Sequence, residues 1–200
     1  MPVVFTFDFE RALAAMVYVA TKNPRSLDTY KMCKLIFLGD KLHLVRYSRT
    51  ITGDTICAME FGPVPSSTYN LLKALVAGST EEKNAEQLAH YLSVDKSFYY
   101  PRISGSGKPL DVREFLSKSD LRALDEVVEL HGDKSFDELK ALTHEMPSWK
   151  KAWNDPDRTA KNADMAFEDL FLEDSDTLRG SCEEMIENFE LRKAFGEPTF

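Results

Sequence analysis

The chain has 200 residues, of which 43% are hydrophobic and 29% charged, and this length suffices for one well-buried soluble domain. No stretch reaches the roughly 20 apolar residues that a membrane span needs, and the first residues lack the basic flank of a signal peptide, so we expect a cytoplasmic protein. Cys33, Cys57 and Cys182 show no metal-ligand spacing, which predicts reduced thiols and neither a disulfide nor a metal site.

The net charge of −8 is unevenly distributed. Residues 161–190 contain ten acidic and two basic residues, so this segment equals the whole excess and the rest of the chain is neutral. A basic stripe that could neutralise phosphates is absent from the sequence, which argues against a general nucleic-acid binder. The acidic segment indicates either a basic partner or a solvated helix face.

Two long helices are predicted first. Asp8 is a suitable N-cap for a helix that ends before Asn23, and apolar residues recur in it at helical spacing. A second helix from residue 27 or 28 to 46 turns one apolar face inward and is expected to carry four basic residues outward, namely Lys31, Lys34, Lys41 and Arg46.

A small sheet is expected next. A Gly-Asp turn within residues 51–56 predicts a hairpin that leads into a strand over residues 55–61. Gly62, Pro63 and Pro65 predict a rigid corner that joins this strand to a helix ending at Gly78. Residues 94–103 are expected to return to the same sheet as a strand, and residues 104–107 to form a flexible loop.

Helices dominate the rest of the chain. A helix is predicted over residues 81–92, Ser117 caps another that stops at Gly132, and Ser135 begins a capping box. Ser181 predicts a second capping box for a last helix that Gly196 ends. The fold class is therefore α+β and mainly helical, with helices packed around a small antiparallel β-sheet. We expect one domain over residues 1–160 and an acidic helical extension over residues 161–200 that packs on it.

Three segments in a fixed order carry a family resemblance. They are Lys-Leu-Ile-Phe-Leu-Gly-Asp at residues 34–40, Phe-Gly-Pro-Val-Pro-Ser at 61–66 and Thr-His-Glu-Met-Pro-Ser-Trp at 143–149. Together they resemble the Panacea domain of the SocA-like antitoxin family over residues 8–153. The resemblance implies a non-enzymatic bacterial or phage protein that binds and neutralises a toxin encoded beside it. The alternative within the same resemblance is a proteolytic adaptor that delivers the toxin to an ATP-dependent protease.

The sequence suggests where a partner could bind. Arg46, Tyr47 and Arg49 follow the second helix, next to the predicted corner with its Phe61, Pro63 and Pro65. The late motif adds His144, Trp149 and Trp153, of which Trp149 is expected in the core and Trp153 nearer the surface. A further aromatic group is interpreted as a packed sheet face rather than a binding platform: Tyr47, Phe61, Tyr69, Phe98, Tyr99 and Tyr100.

An enzyme is the remaining alternative. His144 with Glu145, or His43 with Asp40 one helical turn away, could form an acid-base pair. Neither pair has a nearby nucleophile, since Cys33 lies nearly three turns before His43. Phosphate-binding and hydrolase motifs are also absent from the sequence. We therefore predict no catalytic residue and no cofactor.

Overall fold

A central helix, α2, organises the fold. The computed structural model describes residues 3–23, 27–79, 83–156, 158, 161–171 and 179–196. Their helices are α1 (Phe9–Lys22), α2 (Thr29–Tyr47), α3 (Ser66–Ala77), α4 (Lys83–Tyr91), α5 (Lys118–His131), α6 (Phe136–His144), α7 (Pro147–Trp153) and α8 (Arg179–Phe195). Every residue of α2 from Lys31 to Asp40 is buried, because α1, α3, α5, α6, α8 and a strand surround it.

The strands form two small antiparallel sheets. In the first, β1 (Ile56–Met59) lies between β2 (Gly62–Pro65) and β5 (Ala163–Asp164). In the second, β3 (Leu92–Asp95) pairs with β4 (Arg102–Gly105). Short 3-10 helices occur at Val112–Glu114 and Phe167–Phe171. The predicted α+β, mainly helical class is confirmed.

The predicted corner is wrong, because residues 62–65 are themselves a strand. The chain reverses at Glu60 and Phe61, and β2 then pairs with β1 so that Met59 faces Gly62 and Ile56 faces Pro65. Two prolines are tolerated there because β2 lies at the edge of the sheet and needs no donors on its outer side.

The start of α3 is capped from a distance. Pro65 precedes the helix and has no side chain that could accept a hydrogen bond. The carboxylate of Asp54 does so instead, accepting from the backbone N–H groups of Ser67 at 2.9 Å and Thr68 at 2.7 Å. Helix α3 therefore begins at Ser66, directly after the last residue of β2, without an intervening loop.

The hairpin predicted within residues 51–56 is also wrong. Asp40 of α2 binds this segment, since its carboxylate accepts from the backbone N–H groups of Ile51 at 2.7 Å and Thr52 at 2.9 Å. Gly53 has φ +70°, and a Cβ at this position would lie 2.0 Å from the Thr6 carbonyl oxygen. The segment is thus anchored by the N-terminal chain and α2, not by a partner strand.

Residues 94–103 do not return to the first sheet. They form the separate β3–β4 hairpin, whose tip spans residues 96–101. Ser104 and Gly105, predicted to be flexible, lie within β4 and pair with Ser93 and Leu92. Because the chain reverses locally, β3 and β4 pair with each other, and neither pairs with the distant β1.

The basic face predicted for α2 is corrected as well. Lys34 is 0% exposed and Lys31 only 8%, because α2 is covered on this side by β2 and α6. Leu42, expected inward, is only partly buried. The interior therefore contains a lysine for which the sequence predicted a solvated position.

Helix ends were mostly predicted correctly. The caps at Asp8, Ser117 and Ser135 are confirmed, as are the stops at Gly132 and Gly196. The cap at Ser181 is wrong, because α8 begins at Arg179. Glu81, Glu82, Glu173, Asp174 and Asp176 lie outside the described residues. None of the described helices is long and apolar enough to cross a membrane.

Candidate functional site

A groove of about 380 Å³ opens between α2, α3, α6 and the β1–β2 hairpin. Its floor is apolar and includes Cys33, Met59 and Val64. Its rim is aromatic, and one ring comes from each neighbouring element: Tyr30 of α2, Phe61 of the β1–β2 turn, Tyr69 of α3, Phe136 of α6 and Tyr100 of the β3–β4 tip. We call this site the aromatic groove.

The rim is exposed although it is aromatic. Phe61 is 45% exposed, Phe136 43% and Tyr100 69%. Phe136 packs on Tyr30 at a centroid distance of 4.3 Å and on Phe61 at 5.7 Å, and the Tyr30 hydroxyl donates to the Phe61 carbonyl oxygen. Clustered exposed apolar side chains on a soluble protein mark interaction sites more often than scattered ones do.

Lys34 lies beneath the rim. Its ammonium donates to the Pro63 carbonyl oxygen at 2.6 Å and lies 5.1 Å from the Tyr30 ring centroid. Burial lowers the pKa of Lys34 to about 7. Gly62 makes room for this group, because a Cβ there would lie 2.8 Å from the Lys34 Nζ atom. A lysine from α2 thus fixes the β1–β2 hairpin in place.

The cysteine in the floor is not an activated nucleophile. Burial raises the pKa of the Cys33 thiol to about 12, so it stays protonated at neutral pH. Burial, together with the charges of Asp28 and Asp137, also raises the pKa of Tyr30. The groove is therefore suited to recognition through shape and apolar contact.

The chain matches the family model described as antitoxin SocA-like, Panacea domain, over residues 32–150. The chain belongs to this family. The matched span of the Panacea domain includes all three sequence segments that carry the resemblance, together with the hairpin, α3 and α6. No curated protein and no solved structure matches the chain.

The predicted corner residues have different environments in this Panacea protein. Phe61 belongs to the rim of the groove. Pro63 and Pro65 are buried in β2, where the Pro63 carbonyl oxygen accepts the hydrogen bond from Lys34. Only Phe61 of these three residues therefore offers a surface to a partner.

The late motif forms a stack of rings beside the hairpin. His144 lies on Trp149 at 4.0 Å between centroids, Trp149 on Trp153 at 5.6 Å, and the Arg158 guanidinium 4.0 Å above Trp153. Trp149 is buried, as expected, and its Nε1–H donates to the Met59 carbonyl oxygen. Trp153 is only half-buried. The stack therefore packs against β1 through Trp149, and none of its rings lines the aromatic groove.

Arg46, Tyr47 and Arg49 are not brought to the groove. Arg46 forms two hydrogen bonds with Glu126, at 2.6 and 2.8 Å. Tyr47 and Arg49 instead line a smaller cleft with Phe189 and Arg192 of α8. The predicted surface is therefore divided between two sites.

Arg49 belongs to a buried charged cluster. Its guanidinium lies 2.9 Å from the carboxylate of Asp120, which also binds Arg11 at 3.0 Å. Burial alone would raise the pKa of Asp120, but the two guanidinium groups hold this pKa below its ordinary value. The Nε2 atom of His43 lies 3.1 Å from the same carboxylate, and burial lowers the pKa of His43 to about 4. This cluster joins α1, α2 and α5.

Neither proposed acid-base pair forms. Asp40 binds the 51–52 backbone and not His43, and Glu145 pairs with Lys150 at 2.7 Å. Burial, followed by the charges of Lys140 and Lys34, lowers the pKa of His144, so its ring is neutral. His144 and Glu145 therefore have separate partners.

The exposed tyrosines correct the expectation of a packed sheet face. Tyr99 is 91% exposed and Phe98 40%, and both lie at the β3–β4 tip next to Tyr100. Sequence reasoning also missed Tyr30, Lys34 and Phe136 as groove residues. For Lys34 a signal existed: the run Met32 to Leu38 is apolar all around the helix, which is typical of a fully buried segment. Tyr30 and Phe136 carry no such signal.

Proposed function

We propose that this Panacea protein is an antitoxin that neutralises a cognate toxin by direct binding, without enzymatic turnover, and that the aromatic groove is the binding surface. The concentration of exposed rings around one groove carries the proposal. Aromatic side chains are the commonest hot spots of protein interfaces, since each buries a large area at a small loss of rotamer entropy.

The rigidity of the groove supports the same role. Lys34 fixes the hairpin, Asp54 caps α3, and Phe136 is the first residue of α6 behind the Ser135 capping box. A surface that is ordered before binding loses less entropy on association than a mobile loop does. The toxin and the antitoxin are proposed to meet in the cytoplasm of a bacterium or of a phage-infected cell.

The same proposal covers the domain organisation. Residues 1–160 would form the Panacea domain, and residues 161–200 an extension packed on it. Two observations support the packing of the extension on the domain: β5 pairs with β1, and Met185 of α8 is 0% exposed.

Co-expression with the protein encoded by the adjacent gene tests the function. Wild type is expected to restore growth and to co-purify with the neighbour, whereas a variant with Phe61→Ala and Phe136→Ala is expected to lose both effects. Leu130→Ala is the matched control, because Leu130 is an exposed apolar residue on α5 outside the groove. Circular dichroism confirms that each variant is folded.

The outcomes separate the alternatives. A toxic neighbour that is neither rescued nor captured by wild type overturns the antitoxin proposal, and full rescue by the groove variant overturns the assigned surface. If the toxin's half-life falls only when an ATP-dependent protease is present, the protein is an adaptor and does not act by sequestration.

A further inference from the structure

Two lysines next to rings of the aromatic groove face those rings and not carboxylates. The Lys73 ammonium lies 5.3 Å from the Tyr69 ring centroid, and that of Lys140 lies 5.1 Å from the Phe61 centroid. Within the described part of the chain neither forms an ion pair. Each therefore keeps a cationic head available next to an apolar surface.

The charge of Lys140 also reaches His144. The neutral state of His144 is favoured by burial and then by the nearby charges of Lys140 and Lys34. Glu60 occupies the same turn as Phe61, yet it is not paired with Lys140 among the described contacts. Lys73 of α3 and Lys140 of α6 therefore place positive charge beside Tyr69 and Phe61.

Carboxylates lie at another part of the rim. Asp28 and Asp137 lie near Tyr30, where their charges oppose ionisation of its phenol. Asp28 is already bound to the backbone N–H of Lys31, whereas Asp137 is exposed. The rim therefore carries both signs of charge, with an acidic edge at Tyr30 and the basic groups of Lys73 and Lys140 at Tyr69 and Phe61.

This polarity discriminates between kinds of partner. A nucleic-acid strand carries a phosphate at every nucleotide, so some phosphates would face the acidic edge. A polypeptide can place its carboxylates at one edge and leave the other uncharged. A side chain of the size of Phe, Leu or Trp also suits a groove whose apolar floor holds about 380 Å³.

We propose that the aromatic groove binds a polypeptide segment that is both apolar and acidic: an apolar side chain fills the groove between Phe61 and Tyr69, and flanking Asp or Glu side chains pair with Lys73 and Lys140. The inference rests on the proposed function, because it describes the part of the toxin that would enter the groove. The segment is recognised by the spacing of its carboxylates around one apolar anchor.

Random dodecapeptides displayed on phage and selected against the full chain test this chemistry without the toxin. The recovered peptides are expected to be enriched in Asp and Glu next to Phe, Leu or Trp. The best of them, labelled with fluorescein, is expected to bind at least tenfold more weakly to a Lys73→Glu, Lys140→Glu variant and to Phe61→Ala. Lys118→Glu with Lys161→Glu is the matched control, since both lysines are exposed outside the groove, and it should retain wild-type affinity.

Each other result counts against the inference. The inference is overturned if the recovered peptides are basic or uncharged, or if no recovered peptide needs Phe61 for binding. It is also overturned if the variant with Lys73→Glu and Lys140→Glu binds the peptide as tightly as wild type does. Phe61-dependent binding of a labelled single-stranded dodecanucleotide would assign the groove to nucleic acid. If growth rescue is lost in the Phe61→Ala, Phe136→Ala variant but kept in the Lys73→Glu, Lys140→Glu variant, this result refutes only the acidic nature of the partner segment and leaves the antitoxin function standing.

Discussion

Replacing Lys34 with methionine tests how the protein holds a lysine beneath the groove. The substitution keeps the length and the apolar contacts of the side chain but removes its charge and its hydrogen bond to the Pro63 carbonyl oxygen. The ordinary pKa of the group is 10.5, and burial lowers it to about 7 in the folded protein. The variant therefore removes one group that titrates differently in the folded and unfolded chains.

The sign of the effect follows from proton binding. Between the two pKa values the unfolded chain keeps the Lys34 proton that the folded protein has released, so rising pH favours the folded state. One proton corresponds to about 1.4 kcal/mol per pH unit, or about 2 kcal/mol between pH 7.5 and pH 9.0. Below pH 7 both the folded and the unfolded chain hold the Lys34 proton, so the folded protein bears the full cost of a buried ammonium and the contribution of Lys34 to the free energy of unfolding is lowest there.

Urea unfolding followed by circular dichroism at several pH values measures the difference. The free energy of unfolding of wild type minus that of Lys34→Met is expected to rise by about 2 kcal/mol from pH 7.5 to pH 9.0. Lys118→Met, at an exposed position, should show a constant difference. Parallel pH curves for wild type and Lys34→Met would refute the reasoning, because they would mean that Lys34 keeps its ordinary pKa.

Three further predictions, two of them with a matched control substitution, test the interactions that hold the fold. Asp120→Ala should lower the free energy of unfolding by about 3–5 kcal/mol, because two partly buried guanidinium groups lose their fully buried carboxylate. Asp125→Ala, at a half-exposed pair, should cost about 1 kcal/mol. Equal effects in urea unfolding would contradict a buried cluster. Gly62→Ala should lower the free energy of unfolding by about 3 kcal/mol or more, because φ is +97° there and the new Cβ would lie 2.5 Å from the Thr143 hydroxyl oxygen. Gly78→Ala, where φ is +72° but the surrounding space is open, should lower it by about 1 kcal/mol. A melting temperature of Gly62→Ala no lower than that of Gly78→Ala would exclude the steric argument. Arg46→Ala should change stability by at most about 1 kcal/mol, since its pair with Glu126 is exposed, and a larger loss in thermal unfolding would show that the pair is structural.

Helix positions could be predicted from the sequence because their signals are local. Asp8, Ser117 and Ser135 each accept from a backbone N–H three residues ahead, and such a bond depends only on the chain around it. Gly196 likewise ends α8 through its own positive φ. The family resemblance was available for the same reason, since it depends on short segments in a fixed order.

The sheets were predicted less well, because strand pairing is a choice between partners. The Gly-Asp pair at residues 53–54 looks like a turn, yet the Asp40 carboxylate and the Asp8 backbone N–H bind this segment instead. The prolines at residues 63 and 65 read as a corner, yet the edge of a sheet tolerates them. In both cases the deciding partner lies far away in the chain.

The candidate site follows the same division. Phe61 was predicted from its motif, but its neighbours Tyr30, Tyr69, Tyr100 and Phe136 come from four other elements and meet only in the folded protein. Lys34 was assigned to the outer face of α2 because an isolated amphipathic pattern places lysine in water. The surrounding helices and β2 cover that face.

Local hydrogen bonding and short motifs encode the family, the mainly helical class and the ends of most helices, so these could be predicted from the amino-acid pattern. The pairing of the strands, the burial of Lys34 and the meeting of rings from five elements in one groove appear only in the folded protein. The physical reason is that burial and pairing depend on which distant segments pack together, and the amino-acid pattern of one segment does not contain that information.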